Sequence, residues 1–135
     1  MAAIDPRLLY LDIPEMDRDH ERLVAIANRI SALVERPDFR AKDFAAELRE
    51  LKAYTIDHFA REEAYMASIG YPGLAGHKVQ HGKIIEALAA LAAEGATKGA
   101  RIALSLRLFT QVWLFEHISG HDGEYAKFAM AKAPR

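Results

Sequence analysis

The sequence predicts an all-α protein, built as an up-down-up-down antiparallel four-helix bundle. Three observations carry that expectation. Glycine and proline gather at three short breaks, "ERPDF" (35–39), "GYPGLAG" (70–76) and "EGATKG" (94–99). The segments between them are rich in Ala, Leu, Glu, Lys and Arg, which lose little on entering a helix. Apolar residues recur every three or four positions and never alternate as in a half-buried strand. Short connections between long helices then favour antiparallel neighbours.

A short arm over 1–13 precedes the first helix, at about 14–35, whose inward stripe is Met16, His20, Leu23, Ala27, Ile30 and Val34. The second, about 40–69, turns Phe44, Leu48, Leu51, Thr55, His58, Glu62, Tyr65 and Ile69 inward. The third, about 73–93, offers Leu74, His77, His81, Ile84, Leu88 and Leu91. The fourth, about 100–129, offers Ile102, Leu106, Phe109, Trp113 and His117. Steps of three and four place each set on one helix face. The whole chain, 1–135, reads as a single domain, long enough for a sizeable core and too short for two.

Composition narrows the function. Hydrophobic residues make up 51% and charged residues 27% of the chain, as in ordinary globular proteins. A formal net charge of −1 gives no support for nucleic acid or an anionic membrane surface as partner. With no cysteine there is no disulfide framework, thiol nucleophile, iron–sulfur cluster or thiolate zinc site. The N-terminus lacks the basic start and long apolar run of a signal peptide. No apolar stretch reaches membrane-spanning length, so a cytoplasmic protein is expected.

Five histidines and one glutamate therefore occupy positions that the pattern reserves for core. Singly, each has an ordinary explanation: a hydrogen-bonded core histidine for His20, a surface i,i+4 pair for His58 and Glu62, a solvated pair for His77 and His81. Together, cost decides. An unpaired buried carboxylate is penalised by several kcal/mol. Each imidazole needs partners for both ring nitrogens, and the rest of the stripes is nearly all apolar. A cation satisfies many of these groups at once.

Depth agrees. At about 1.5 Å of rise per residue, His20 lies ~9 Å into the first helix, and His77 and His81 lie ~6–12 Å into the third. His58 and Glu62 lie ~10–16 Å before the end of the second, and His117 ~18 Å before the end of the fourth. Starts of odd helices and ends of even ones share one end of such a bundle, so the groups converge. Imidazole with carboxylate suits iron, zinc, copper or nickel, and the lack of thiolate argues against structural zinc. Six or seven ligands are too many for one ion with an open position, so two metals are expected.

The segments "MDRDHERL" (16–23), "HFAREEAYM" (58–66), "GYPGLAGHKVQH" (70–81) and "WLFEHISGHD" (113–122) together resemble the hemerythrins, in particular the bacterial hemerythrins. The match runs in order along almost the whole chain. One His, then H-x-x-x-E, H-x-x-x-H and H-x-x-x-x-D, is specific in combination, although each piece alone is weak.

The resemblance implies a hemerythrin-like bundle with a non-haem di-iron site, two iron ions (Fe2+/Fe3+) with a bridging oxo or hydroxo group. By that analogy His20, His58, His77, His81 and His117 are terminal ligands, and Glu62 and Asp122 bridge the irons. His77, His81 and His117 would bind one iron. His20 and His58 would bind the other, which keeps an open position where dioxygen ends as a hydroperoxide. Leu23, Phe59, Trp113, Leu114 and Ile118 match the apolar lining positions of the pocket.

The function implied is reversible dioxygen binding, as carrier, store or sensor, and not catalysis. Separately, a small charge-balanced domain is compatible with a monomer. Competing readings on the same scaffold are a di-iron oxidase or peroxidase, and an iron store or metal-responsive module. Five histidines against two carboxylates favour the ferrous state, hence binding over activation. Tyr10 stands where family members usually carry a tryptophan, and is the candidate to replace it in packing the arm.

"HISGHD" (117–122) holds one conflict. On a regular α-helix His121 shares the face of His117, whereas Asp122 is rotated about 140° away. Periodicity alone selects His121. The resemblance selects Asp122, which requires the turn through Ile118, Ser119 and Gly120 to loosen towards i,i+5 geometry. Glycine makes that loosening cheaper. Charge agrees, because Glu62 alone under-neutralises two cations and neutral imidazole cannot bridge them. Asp122 is the expected ligand, with His121 outside the coordination sphere.

Overall fold

The computed structural model describes residues 4–98 and 102–132. A 3-10 turn, Pro6–Leu9, leads into α1 (Pro14–Val34), α2 (Ala41–Ser68), α3 (Leu74–Lys98) and a fourth helix, α4, over 103–132. Among the described residues there is no strand.

Cross-helix contacts fix the topology. Arg29 pairs with Glu47 and Arg61 with Asp19, so α1 and α2 run in opposite directions. His81 meets Glu63 while Gly95 meets Phe44, so α2 and α3 do the same. Glu94 meets Ser105 and His77 meets His117, which sets α3 against α4. His20 beside Asp122 closes the ring. The bundle is the antiparallel four-helix one that the sequence predicts.

Helix ends follow local chemistry. Pro14 opens α1 with its pre-set φ, and Glu15 and Asp17 face the positive end of the helix. Helix α2 stops at Gly70, whose φ of 67° lies in the left-handed region. There the Tyr71 N–H donates to Met66 O at 2.9 Å and the Gly70 N–H to Ala67 O at 3.1 Å, a Schellman closure that favours glycine.

Two expectations about boundaries are corrected. The stretch "EGATKG" is not a break over its first five residues, because α3 continues to Lys98. Gly95 is there for packing: the Phe44 ring lies where a side chain would begin. The rest of that break, and the predicted start of the fourth helix at 100, lie outside the described residues. At its far end α4 continues to Lys132.

The inward stripes hold with four exceptions. Tyr65, Ile69, Leu74 and Trp113 are only half-buried, and Met66 takes the fully buried place next to Tyr65. In the arm, Leu9 is buried and Tyr10 is exposed, its hydroxyl donating to Glu21. Tyr10 therefore does not act as the arm's core anchor. On every helix the polar core residues lie between two apolar regions. The larger includes Leu23, Phe59, Ile84 and Ile118, and the smaller is Met16, Met66 and Tyr125. Among the described residues no helix is long and apolar enough to cross a membrane.

Candidate metal centre

Helix α4 is not uniform. Ala103–Leu108 and Gly123–Lys132 are α-helical, and Phe109–Asp122 between them is π-helical. A π-turn closes i→i+5, which brings residues five apart onto one side. His117 and Asp122 are both buried and His121 is exposed, so the carboxylate and not the second histidine points inward.

The four helices then bring seven side chains together: His20 from α1, His58 and Glu62 from α2, His77 and His81 from α3, His117 and Asp122 from α4. Each is at most 5% exposed, although all are polar. They form two groups whose facing atoms lie within 4.8 Å of one another. One is His77, His81 and His117 with both carboxylates. The other is His20 and His58 with the same two.

Each carboxylate divides its oxygens between the groups. Glu62 Oε1 lies 2.8 Å from His81 Nε2 and 3.2 Å from His77 Nε2, while its Oε2 lies 3.2 Å from His58 Nε2 and 3.5 Å from His20 Nε2. Asp122 Oδ1 lies 2.9 Å from His77 Nε2 and 3.1 Å from His117 Nε2, while its Oδ2 lies 3.2 Å from His20 Nε2. All five imidazoles present the same ring nitrogen to the carboxylates.

The donor set fits a metal pair. His20 Nδ1 and Nε2, His117 Nε2 and both oxygens of Asp122 are buried without a well-directed hydrogen bond. Leaving such groups unsatisfied costs about 1–3 kcal/mol each, more when charged. Several nitrogens and oxygens converging with no thiolate is chemistry for a first-row divalent metal.

Electrostatics point the same way. Burial works against charge on Glu62, but the four imidazoles around it hold its carboxyl well below the usual range. Asp122 is likewise opposed by burial and by the Glu62 charge, yet His117, His20 and His77 bring it down to about 2. Burial disfavours the His20 and His77 cations, but Asp122 and Glu62 push both up to about 9. His121 goes the other way, lowered by burial and by the neighbouring His117 and His77.

A second layer holds the first. Asp19 Oδ2 lies 2.7 Å from His58 Nδ1, and Glu63 Oε2 lies 2.8 Å from His81 Nδ1. The Tyr125 hydroxyl donates to Glu62 Oε2 at 2.8 Å, and Phe59 stacks on the His81 ring. A metal-bound histidine usually donates its other N–H in this way, which fixes tautomer and ring orientation.

A family model for the hemerythrin HHE cation binding domain matches residues 11–129. The chain belongs to the hemerythrin family. It is 32% identical over 118 residues to a bacteriohemerythrin of Stenotrophomonas maltophilia, covering 87% of this chain and 75% of that one. A bacteriohemerythrin of Clostridium acetobutylicum is 32% identical over 118 residues, with 85% and 92% covered. A myohemerythrin of Riftia pachyptila is 36% identical over 81 residues, with 60% and 62% covered.

In this hemerythrin chain a cavity of about 20 Å3 abuts the cluster. That is room for roughly one water-sized molecule. Leu23, Phe59, Trp113, Leu114 and Ile118 all border it, as do His58, His117 and Asp122. Thr55 also lines it, but its hydroxyl donates to Leu51 O at 2.6 Å.

Asp19, Glu63 and Tyr125 are not among the site residues expected from the sequence. Two of them carried a signal. Asp19 fits the rhythm Met16–Asp19–Leu23, and Tyr125 follows Asp122 by three, on the same α-helical face. Glu63 carried none, since it sits one residue from Glu62 on a different face.

Proposed function

We propose that this chain binds dioxygen reversibly at two irons, with His77, His81 and His117 holding one, His20 and His58 the other, and Glu62 and Asp122 bridging both. The observation that carries this reading is the division of each carboxylate's oxygens between the three-histidine and two-histidine groups. A carboxylate serving one ion has no reason to split in that way. When bound, the ferrous pair supplies the two electrons that reversible dioxygen binding draws on.

The side chains do the rest. The two-histidine group is one donor short of the other, and the cavity borders its His58 as well as His117 of the larger group. The apolar lining keeps bulk water out. Among the described residues, the one hydroxyl on that wall is committed to a backbone carbonyl. Among the described residues the one carboxyl bordering the cavity is Asp122, which would itself be held by the metal pair, so the lining offers no free acid to supply a proton there. That favours carriage, storage or sensing over oxidase or peroxidase chemistry. One chain supplies every residue of the site, which is why we propose a monomer as the working unit.

Reconstitution with ferrous iron under anaerobic conditions tests the reading. Two irons per chain and uptake of one dioxygen per pair are expected. His77→Ala should lower the iron content. Unchanged iron content in that variant, or a parent that holds one iron, contradicts the assignment.

A further inference from the structure

Asp19 stands out among the residues outside the cluster. It is buried, one position before His20, and its carboxylate is fully used. Oδ2 accepts from His58 Nδ1 at 2.7 Å and from Arg61 Nε at 2.8 Å. Oδ1 accepts from Arg61 Nη2 at 3.0 Å and from the Tyr54 hydroxyl at 2.8 Å. One turn of α1 thus supplies a cluster residue, His20, and the partner of another, His58.

We propose that Asp19 is a positioning residue that sets the electron-donating strength of His58, and that Arg61 sets how strongly it does so. This rests on the oxygen-binding reading and deepens it. His58 Nε2 faces Glu62, so the ring proton belongs on Nδ1, where it is given to Asp19. An anionic acceptor there makes the imidazole a stronger ligand. A stronger ligand on the iron with the open position favours the ferric state, and so favours dioxygen, which draws electron density from iron. The guanidinium of Arg61 grips the same carboxylate through two hydrogen bonds and withholds part of its charge from His58. Arg61 is also partly exposed, so the control reaches the protein surface.

The two residues should therefore act with opposite sign. Asp19→Asn keeps an acceptor for His58 but removes the charge, and should raise the reduction potential of the iron pair. Dioxygen affinity should fall on the order of tenfold, the lower end of what losing such a partner costs. Arg61→Gln frees the Asp19 charge and should lower the potential and tighten dioxygen binding. Arg61→Lys, which keeps the cation, should return the potential toward the parent. Purely structural roles would loosen the site in both variants and move the potentials together.

The experiment is a redox titration of the iron-loaded parent and the three variants, followed by the iron charge-transfer absorption, with iron content measured on each sample. Opposite shifts support the proposal. Shifts in one direction, or none in loaded protein, overturn it while leaving the oxygen-binding reading intact. If Asp19→Asn loses iron, Arg61→Gln alone decides, since a potential that rises or stays fixed overturns the proposal. A parent that takes up no iron overturns the oxygen-binding reading, and this inference with it.

Discussion

Asp122 follows His117 by five residues, and its Oδ1 lies 3.1 Å from His117 Nε2. A regular α-helix would rotate them about 140° apart. The π-helical run Phe109–Asp122 narrows that offset, and its cost is met where the cluster gains a second carboxylate. Asp122→Ala should therefore abolish binding of the iron pair, whereas His121→Ala should leave iron content and spectrum nearly intact. Iron analysis and absorption spectra of the two variants check this, and the reverse pattern would mean the helix is regular here.

Metal uptake should release protons. In the metal-free protein the carboxylates hold His20 and His77 at about 9, so both rings are protonated at pH 7. Binding needs the neutral nitrogens, so an incoming ion must displace those protons. Apparent affinity should rise with pH up to about 9 and flatten beyond it. The sign for metal-free stability is opposite. These raised values contribute fully below about pH 6.5, the unfolded value, and the contribution is lost as pH rises through about 9. A ferrous or zinc titration in weak buffer should release at least two protons per chain at pH 7 and none from these rings at pH 10. Equal release at both would refute it.

The cavity wall offers a separate test. Ile118→Ala adds room beside His117, enough for water to enter, and should speed irreversible oxidation of the ferrous protein while costing about 2–5 kcal/mol of stability. Thr55→Val should change the oxidation rate little, because the hydroxyl is already committed to Leu51 O. Stopped-flow oxidation and thermal melts check both. Faster oxidation in Thr55→Val would show that its hydroxyl takes part.

Gly95→Ala should destabilise the bundle although it improves helix propensity. The substitution gains about 1 kcal/mol as a helix residue. It also drives a methyl into the Phe44 ring, and overpacking of this kind costs about 1–3 kcal/mol. A lowered melting temperature is expected, and Phe44→Leu in the same chain should partly relieve it.

Much of this was legible in the residues. The bundle follows from apolar spacing, and convergence of the histidines follows from depth along antiparallel helices. What periodicity could not deliver was Asp122, since its place depends on a helix that abandons the α period. Gly95 misled in the other direction, because a glycine that admits a neighbouring ring reads like one that ends a helix. Asp19 shows a third limit. Spacing places it at the edge of the core, but nothing local says that its partners are Arg61 and His58 on α2.

The decisive measurement is the spectrum of ferrous-loaded protein exposed to air and then held under vacuum. Reversible binding predicts a peroxide-to-iron charge-transfer colour that appears in air, bleaches under vacuum and returns over repeated cycles. Rapid conversion to a colourless or oxo-bridged ferric form that vacuum does not reverse would contradict it and point to oxidase chemistry instead.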